Sequence, residues 1–169
     1  MSTQSAPTSV ARWLDEDEQA TWRAFLAATR RVQEVLERQL QTEAEMPVAY
    51  YMILVMLSET EGRTLRMSDL AIATNSSPSR LSHAVARLED MGWVRRESCP
   101  SDRRGSFAVL TDDGFAALAA AAPGHVNAVR EAVFDQLTAE QVAQLGTICQ
   151  ALLGGNEPDE PCASLTGGP

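Results

Sequence analysis

Between Ser68 and Gly114 the order of local signals leaves little freedom in what the chain can fold into. Ser68 can cap a short helix, DLAIAT, and Asn75, Ser76 and Ser77 then read as a turn. Pro78 opens a second helix capped by Ser77, with Leu81, Val85 and Leu88 on one face and Gly92 closing it. Two short segments rich in β-branched and aromatic residues follow, WVRRE and SFAVL. The turn-rich, arginine-bearing tip CPSDRRG joins them. Thr111 then caps another helix, with Asp112 and Asp113 at its positive end. Helix, turn, helix, hairpin, helix is the order of a winged helix-turn-helix, which places one helix in a groove of DNA.

Charge singles out the same stretch. From Arg63 to Gly105 there are eight arginines against five acids, a balance of +3 in a chain whose net charge is −9. A basic island in an acidic protein marks where an anion would land and argues against indiscriminate coating of nucleic acid. Lysine is absent, so every fixed positive charge is arginine, the side chain suited to bidentate contacts with phosphate and guanine. Composition bias accounts for that absence equally well.

The flanks read as helical. A long helix fits Asp15 to about Gln41, with Leu14, Trp22, Phe25, Leu26, Val32, Leu36 and Leu40 at three- and four-residue steps. Pro47 can stand in the first turn of the next helix, VAYYMILVML, which is apolar all round; its length and helical neighbours favour helix over strand. EGR at 61–63 is a turn. The alanine-rich helix after Thr111 meets Pro123-Gly124, where a kink or break is expected, and resumes to about Gln136. Thr138 and Gln141 suit a capping box for a last helix ending near Leu153. Residues 1–11 read as a flexible N-terminus and 154–169 as a disordered tail.

Enzymatic readings find no support. There is no metal-ligand cluster, glycine-rich phosphate loop or Gly-x-Ser-x-Gly elbow, and neither histidine, His83 or His125, has a motif partner. No cofactor is expected. Cys99, Cys149 and Cys162 are too scattered for a disulfide framework, which suits a reducing compartment. With no secretory signal and no apolar run approaching the ~20 residues that span a bilayer, a cytoplasmic location without membrane contact is expected.

From about Leu14 to Leu153 the chain resembles the multiple-antibiotic-resistance regulator (MarR) family of bacterial transcription factors. The resemblance is carried by Leu70-Ala71, by SPSRLSHAVARLEDMGWVRR and by PSDRRGSFAVLTDDG. Within the last, Asp102 and Arg104 followed by Leu-Thr-x-x-Gly at 110–114 are the most diagnostic. The resemblance implies a mainly α fold with a small β wing over residues 12–153. Its DNA-binding lobe would span about 47–111, and dimerisation helices about 12–41 and 112–153. It further implies a homodimer on double-stranded DNA carrying an inverted repeat, and repression relieved by a small, often aromatic, ligand. A winged helix serving as a protein-interaction module is the alternative.

Ser77, Ser79, Arg80, Ser82, His83 and Arg87 are then candidate DNA contacts. Arginine can bond guanine O6 and N7, whereas serine and histidine can reach base edges or phosphates. His83 also fits an ordinary surface position. The resemblance carries Arg104 to the minor groove with Asp102 orienting it, and the negative potential of a narrow groove agrees. Arg95, Arg96 and Arg103 read as phosphate contacts. Cys99, beside the wing, fits either a redox-sensitive thiol or a small packed residue; the peroxide-sensing branch carries its cysteine in the first helix, which here has none. Trp13, Trp22, Phe25, Tyr50 and Tyr51 are candidates for an effector pocket or plain packing, and Tyr50 and Tyr51 cannot both face the same way.

Overall fold

The computed structural model describes residues 11–99 and 102–154. Residues 1–10 of the N-terminal segment assigned to 1–11, and residues 155–169 of the tail assigned to 154–169, lie outside the described residues. The elements run α1 (Glu16–Glu43), α2 (Val48–Ser58), β1 (Thr64–Arg66), α3 (Met67–Ala73), α4 (Pro78–Asp90), β2 (Val94–Cys99), β3 (Asp102–Leu110), α5 (Asp112–Ala132) and α6 (Ala139–Leu152). The fold is mainly α with a small β wing, as the sequence implies.

The long first helix starts where its chemistry places it. Asp15 accepts from the Glu18 amide at 2.8 Å and the Glu18 carboxylate accepts from the Asp15 amide at 3.0 Å, a reciprocal cap. Pro47 stands one position before α2 as its extended N-cap. The all-apolar α2 is a helix because it is wrapped on several sides: Tyr51, Ile53, Leu54 and Leu57 are all buried.

Three antiparallel strands form one sheet in the order β1-β3-β2, with Leu65 opposite Ala108 and Val94 opposite Leu110. The strand β1 has no signal in the sequence. It changes the start of α3: the chain enters directly from the strand, with Arg66 as an extended N-cap whose side chain does not cap the helix. Ser68 therefore lies inside the first turn, and its hydroxyl donates to Asp69 Oδ1 at 3.0 Å instead of capping. Leu54 and Leu57 of α2, Leu70 of α3, Leu81, Val85 and Leu88 of α4, and Val94, Ala108 and Leu110 of the sheet share one core with Leu40, Met46 and Leu118.

The break expected at Pro123 does not occur. α5 runs from Asp112 to Ala132 with Pro123 inside it. Close packing accompanies this stretch: a Cβ on Gly124 would lie 2.5 Å from Glu43 Oε2 and 2.9 Å from Gln39 Nε2, so the ends of two α1 side chains lie over the bare α5 backbone there. The helix stops at Ala132, and Phe134–Gln136 form a single 3₁₀ turn before the Thr138–Gln141 capping box of α6.

Candidate nucleic-acid interface

The candidate site is built outward from α4. The Ser77 hydroxyl accepts from the Arg80 amide at 3.3 Å and Pro78 occupies the first turn, so the helix begins sharply. Leu81, Val85 and Leu88 are buried and fix its rotation. At about 100° per residue, Ser79, His83, Ala86 and Asp90 then point most directly away from the core. Arg80 and Arg87 lie on the flank beside α2, where they line a groove with Tyr50, His83, Ala84, Ala86 and Asp90. Ser82 and Glu89 lie on the opposite flank, beside β2.

That second flank is closed by Arg96. Its Nη2 donates to the Ser82 carbonyl at 2.7 Å, its Nε stands 3.2 Å from Glu89 Oε2, and its backbone amide donates to Glu89 Oε1 at 2.9 Å. Arg96, read from the sequence as a phosphate contact, is thus occupied as a brace between recognition helix and wing. The Ser82 hydroxyl sits 3.5 Å from the same guanidinium.

Other arginines of the island are partly engaged. Arg63 pairs with Asp112 at 3.1 Å and lies 4.0 Å over the Phe115 ring, tying the turn before β1 to the start of α5. Arg66 lies over Phe107. Arg95 pairs with Glu97 on its own strand at 2.7 Å, and Arg87 stands 3.6 Å from Asp90 with both side chains exposed. Arg80 has no ion pair among the described residues, so the least neutralised charge of α4 lies at its N-terminal end. Asp102, Arg103 and Arg104 fall in β3 and Cys99 ends β2, but their side chains lie outside the described set, as do Pro100 and Ser101.

Two residues of the Leu-Thr-x-x-Gly motif hold the wing to the helices. Thr111 Oγ1 accepts from the Gly114 amide at 3.0 Å and donates to the Gly92 carbonyl at 2.7 Å. The Trp93 carbonyl accepts from the Thr111 amide at 3.0 Å, and a Cβ on Gly114 would collide with it. The end of α4, both wing strands and the start of α5 meet at this point.

The five candidate effector aromatics are not brought together within one chain. Trp13 precedes α1 and is 87% exposed, while Trp22 and Phe25 stack at 6.0 Å on its open N-terminal half. Phe25 lies fifteen positions before Leu40, about 22 Å along the helix. Tyr51 points into the core against His125, ring centroids 4.3 Å apart. Burial pushes the Tyr51 phenol up and the His125 imidazole down from their ordinary values. Tyr50 turns instead to the α4 groove. A separate cleft of about 780 Å³ opens between α1 and α2, lined by Leu36, Glu37, Val48, Met52 and Thr74. Its apolar residues escaped the sequence reading because they look like ordinary helix stripes.

Among the described residues no group of His, Cys, Asp and Glu could hold a metal ion, and no helix is long and apolar enough to cross a membrane. The arrangement offers hydrogen-bond donors and positive charge on a helix beside a hairpin.

Comparison with known proteins points the same way. The model of the MarR family matches residues 45–105. Sco3205, a MarR family transcriptional regulator from Streptomyces coelicolor solved in complex with DNA, is 52% identical with a TM-score of 0.83, covering 90% of this chain and 95% of that one. AbsC, a MarR family regulator from the same organism, is 45% identical with a TM-score of 0.79, covering 85% and 96%. The transcriptional repressor MprA of Escherichia coli (strain K12) is 28% identical over 103 residues, which is 61% of this chain and 58% of that repressor's length.

Proposed function

This chain belongs to the MarR family of transcriptional regulators, and from that premise we propose that it is a homodimeric repressor of an inverted-repeat operator, released by a small apolar or aromatic molecule. The observation that carries the reading is the outer face of α4. Ser79 and His83 face outward, with Arg80, which has no ion pair among the described residues, on the flank of a helix whose inner side is locked in the core. The wing, with Arg103 and Arg104 on its second strand and Asp102 as the candidate partner of Arg104, follows directly in sequence. Such a helix fits a major groove, and a guanidinium on the hairpin fits the adjacent minor groove. Sco3205, in its DNA complex, supports the partner class.

The dimer is supported by what a single chain leaves uncovered: α6 buries none of its residues and α1 buries only Leu40. Two lobes related by a two-fold axis would read half-sites about 10 base pairs apart. The effector reading rests on the cleft between α1 and α2, at the seam of the helical platform and the DNA-binding lobe. A ligand there acts only if it binds the DNA-incompetent spacing more tightly. A cytoplasmic location follows from the partner.

The test is enrichment of a duplex from a random library, followed by anisotropy titration against the selected and a scrambled sequence. The selected duplex should bind at least about a thousandfold more tightly, with affinity falling steeply with salt. His83→Ala should narrow that ratio, and Arg104→Ala should weaken binding with the fold intact. Equal affinity for the two duplexes would sink the reading.

A further inference from the structure

We propose that Tyr50 and Arg80 clamp one backbone phosphate of the bound duplex, with Arg87 further along the same flank, which places Tyr50 in the DNA interface and outside any effector pocket. The inference rests on the DNA-binding reading above and deepens it. It starts from the asymmetry of α4. One flank is sealed by the Arg96 brace on Ser82 and Glu89. The other is an open groove of about 580 Å³, to which a different element, α2, contributes Tyr50.

The groups in that groove are underused. Among the described residues Arg80 has no ion pair and the Tyr50 hydroxyl makes no hydrogen bond. Arg87 is held only by a 3.6 Å contact to Asp90, with both side chains more than 70% exposed. Asp90, the one acid in the groove, sits at its C-terminal end and repels an anion there. The favourable position is therefore between Tyr50 and Arg80, near the positive end of α4.

Duplex geometry supplies the ligand. A helix seated in the major groove meets base edges along its outermost line and a sugar–phosphate strand along each flank. Ser79 and His83 occupy the outer line, whereas Arg80 and Arg87 occupy the flank. Arg80 is thereby assigned to phosphate in place of guanine. Tyr50 contributes what the arginines lack. Its helix is anchored by Ile53, Leu54 and Leu57, and neighbouring Tyr51 is 4% exposed in the core. The phenol thus projects from a fixed base and sets the depth and register at which α4 rests. The hydroxyl donates to a phosphate oxygen, and no bond is made or broken covalently.

The experiment uses the full chain, a duplex enriched by it from a random library, and the scrambled counterpart. Tyr50→Phe removes only the hydroxyl. It should weaken both duplexes by the same factor, about three- to tenfold, and leave the enriched sequence and the melting temperature unchanged. Arg80→Ala should flatten the salt dependence on both duplexes by about one phosphate. Single methylphosphonate replacements along the enriched duplex should include one position that costs Tyr50→Phe clearly less affinity than it costs wild type, the remaining loss being the arginine's. Unchanged affinity of Tyr50→Phe, an altered enriched sequence, or additive losses at every neutralised phosphate would each overturn the clamp. If no sequence is enriched, specific recognition fails on its own. The clamp is then judged on random-sequence duplex, where the same factor for Tyr50→Phe sustains it and no change rejects it.

Discussion

At the scale of single residues, Gly114 illustrates why a short motif can be diagnostic. Its Cα faces the Trp93 carbonyl so closely that any Cβ would strike backbone and the Leu110 side chain. Backbone cannot swing away as a long side chain can, so the strain falls on the junction of wing and helix. Thr111 spans the same junction by capping α5 and donating to Gly92. Gly114→Ala should destabilise the fold by about 1–3 kcal/mol, towards the upper part of that range. Urea titration checks it: a midpoint indistinguishable from wild type would mean that the contact relaxes freely. Arg96 teaches the complementary point. Its charge suggested a phosphate contact, but only the packing of β2 against α4 reveals that two of its guanidinium nitrogens, Nε and Nη2, are already engaged.

At the scale of elements, α5 is the instructive case. Pro123 lacks the amide that would bond one turn back and crowds that turn's carbonyl, yet the helix continues through it. Local chemistry foretold a break, and the packed fold, with Gln39 and Glu43 over Gly124, overrides it. Pro123→Ala should therefore raise stability, by about 1–3 kcal/mol, measured as the midpoint of thermal unfolding by circular dichroism. A fall would show that the proline's geometry is needed by the α1 contact. The caps at Ser77, Thr111 and Thr138, and the core face of α4, were legible in the residues because each is decided within about one helical turn. The strand β1 was not, since three residues between a turn and a helix become a strand only by pairing with β3 more than forty positions away. For the same reason the α4 face was legible, whereas the place of Tyr50 beside it and the cleft lined by Met52 depended on how helices cross.

At the scale of the whole molecule, the uncovered apolar surface is the strongest demand. Trp22, Phe25 and Leu26 on α1 stand 44–51% exposed, and Ile148, Leu152 and Leu153 at the end of the chain's helical part 55–73%. A patch of that kind calls for a second surface. Sedimentation velocity at micromolar concentration should find a dimer, and Ile148→Glu combined with Phe25→Glu should shift it towards monomer. A folded wild-type monomer would contradict the proposal. The unbroken course of α5 then acquires a mechanical meaning. It joins the wing at Thr111 to the neighbourhood of α6, a rod of 21 residues about 32 Å long. A rod pivoting at one end converts angle into travel: a tilt of only about 5° moves the far end by about 3 Å, as much as a whole hydrogen-bond length. In the proposed dimer, leverage of that kind would let a slight change of seating where two subunits meet decide whether side chains at a distant groove reach their partners.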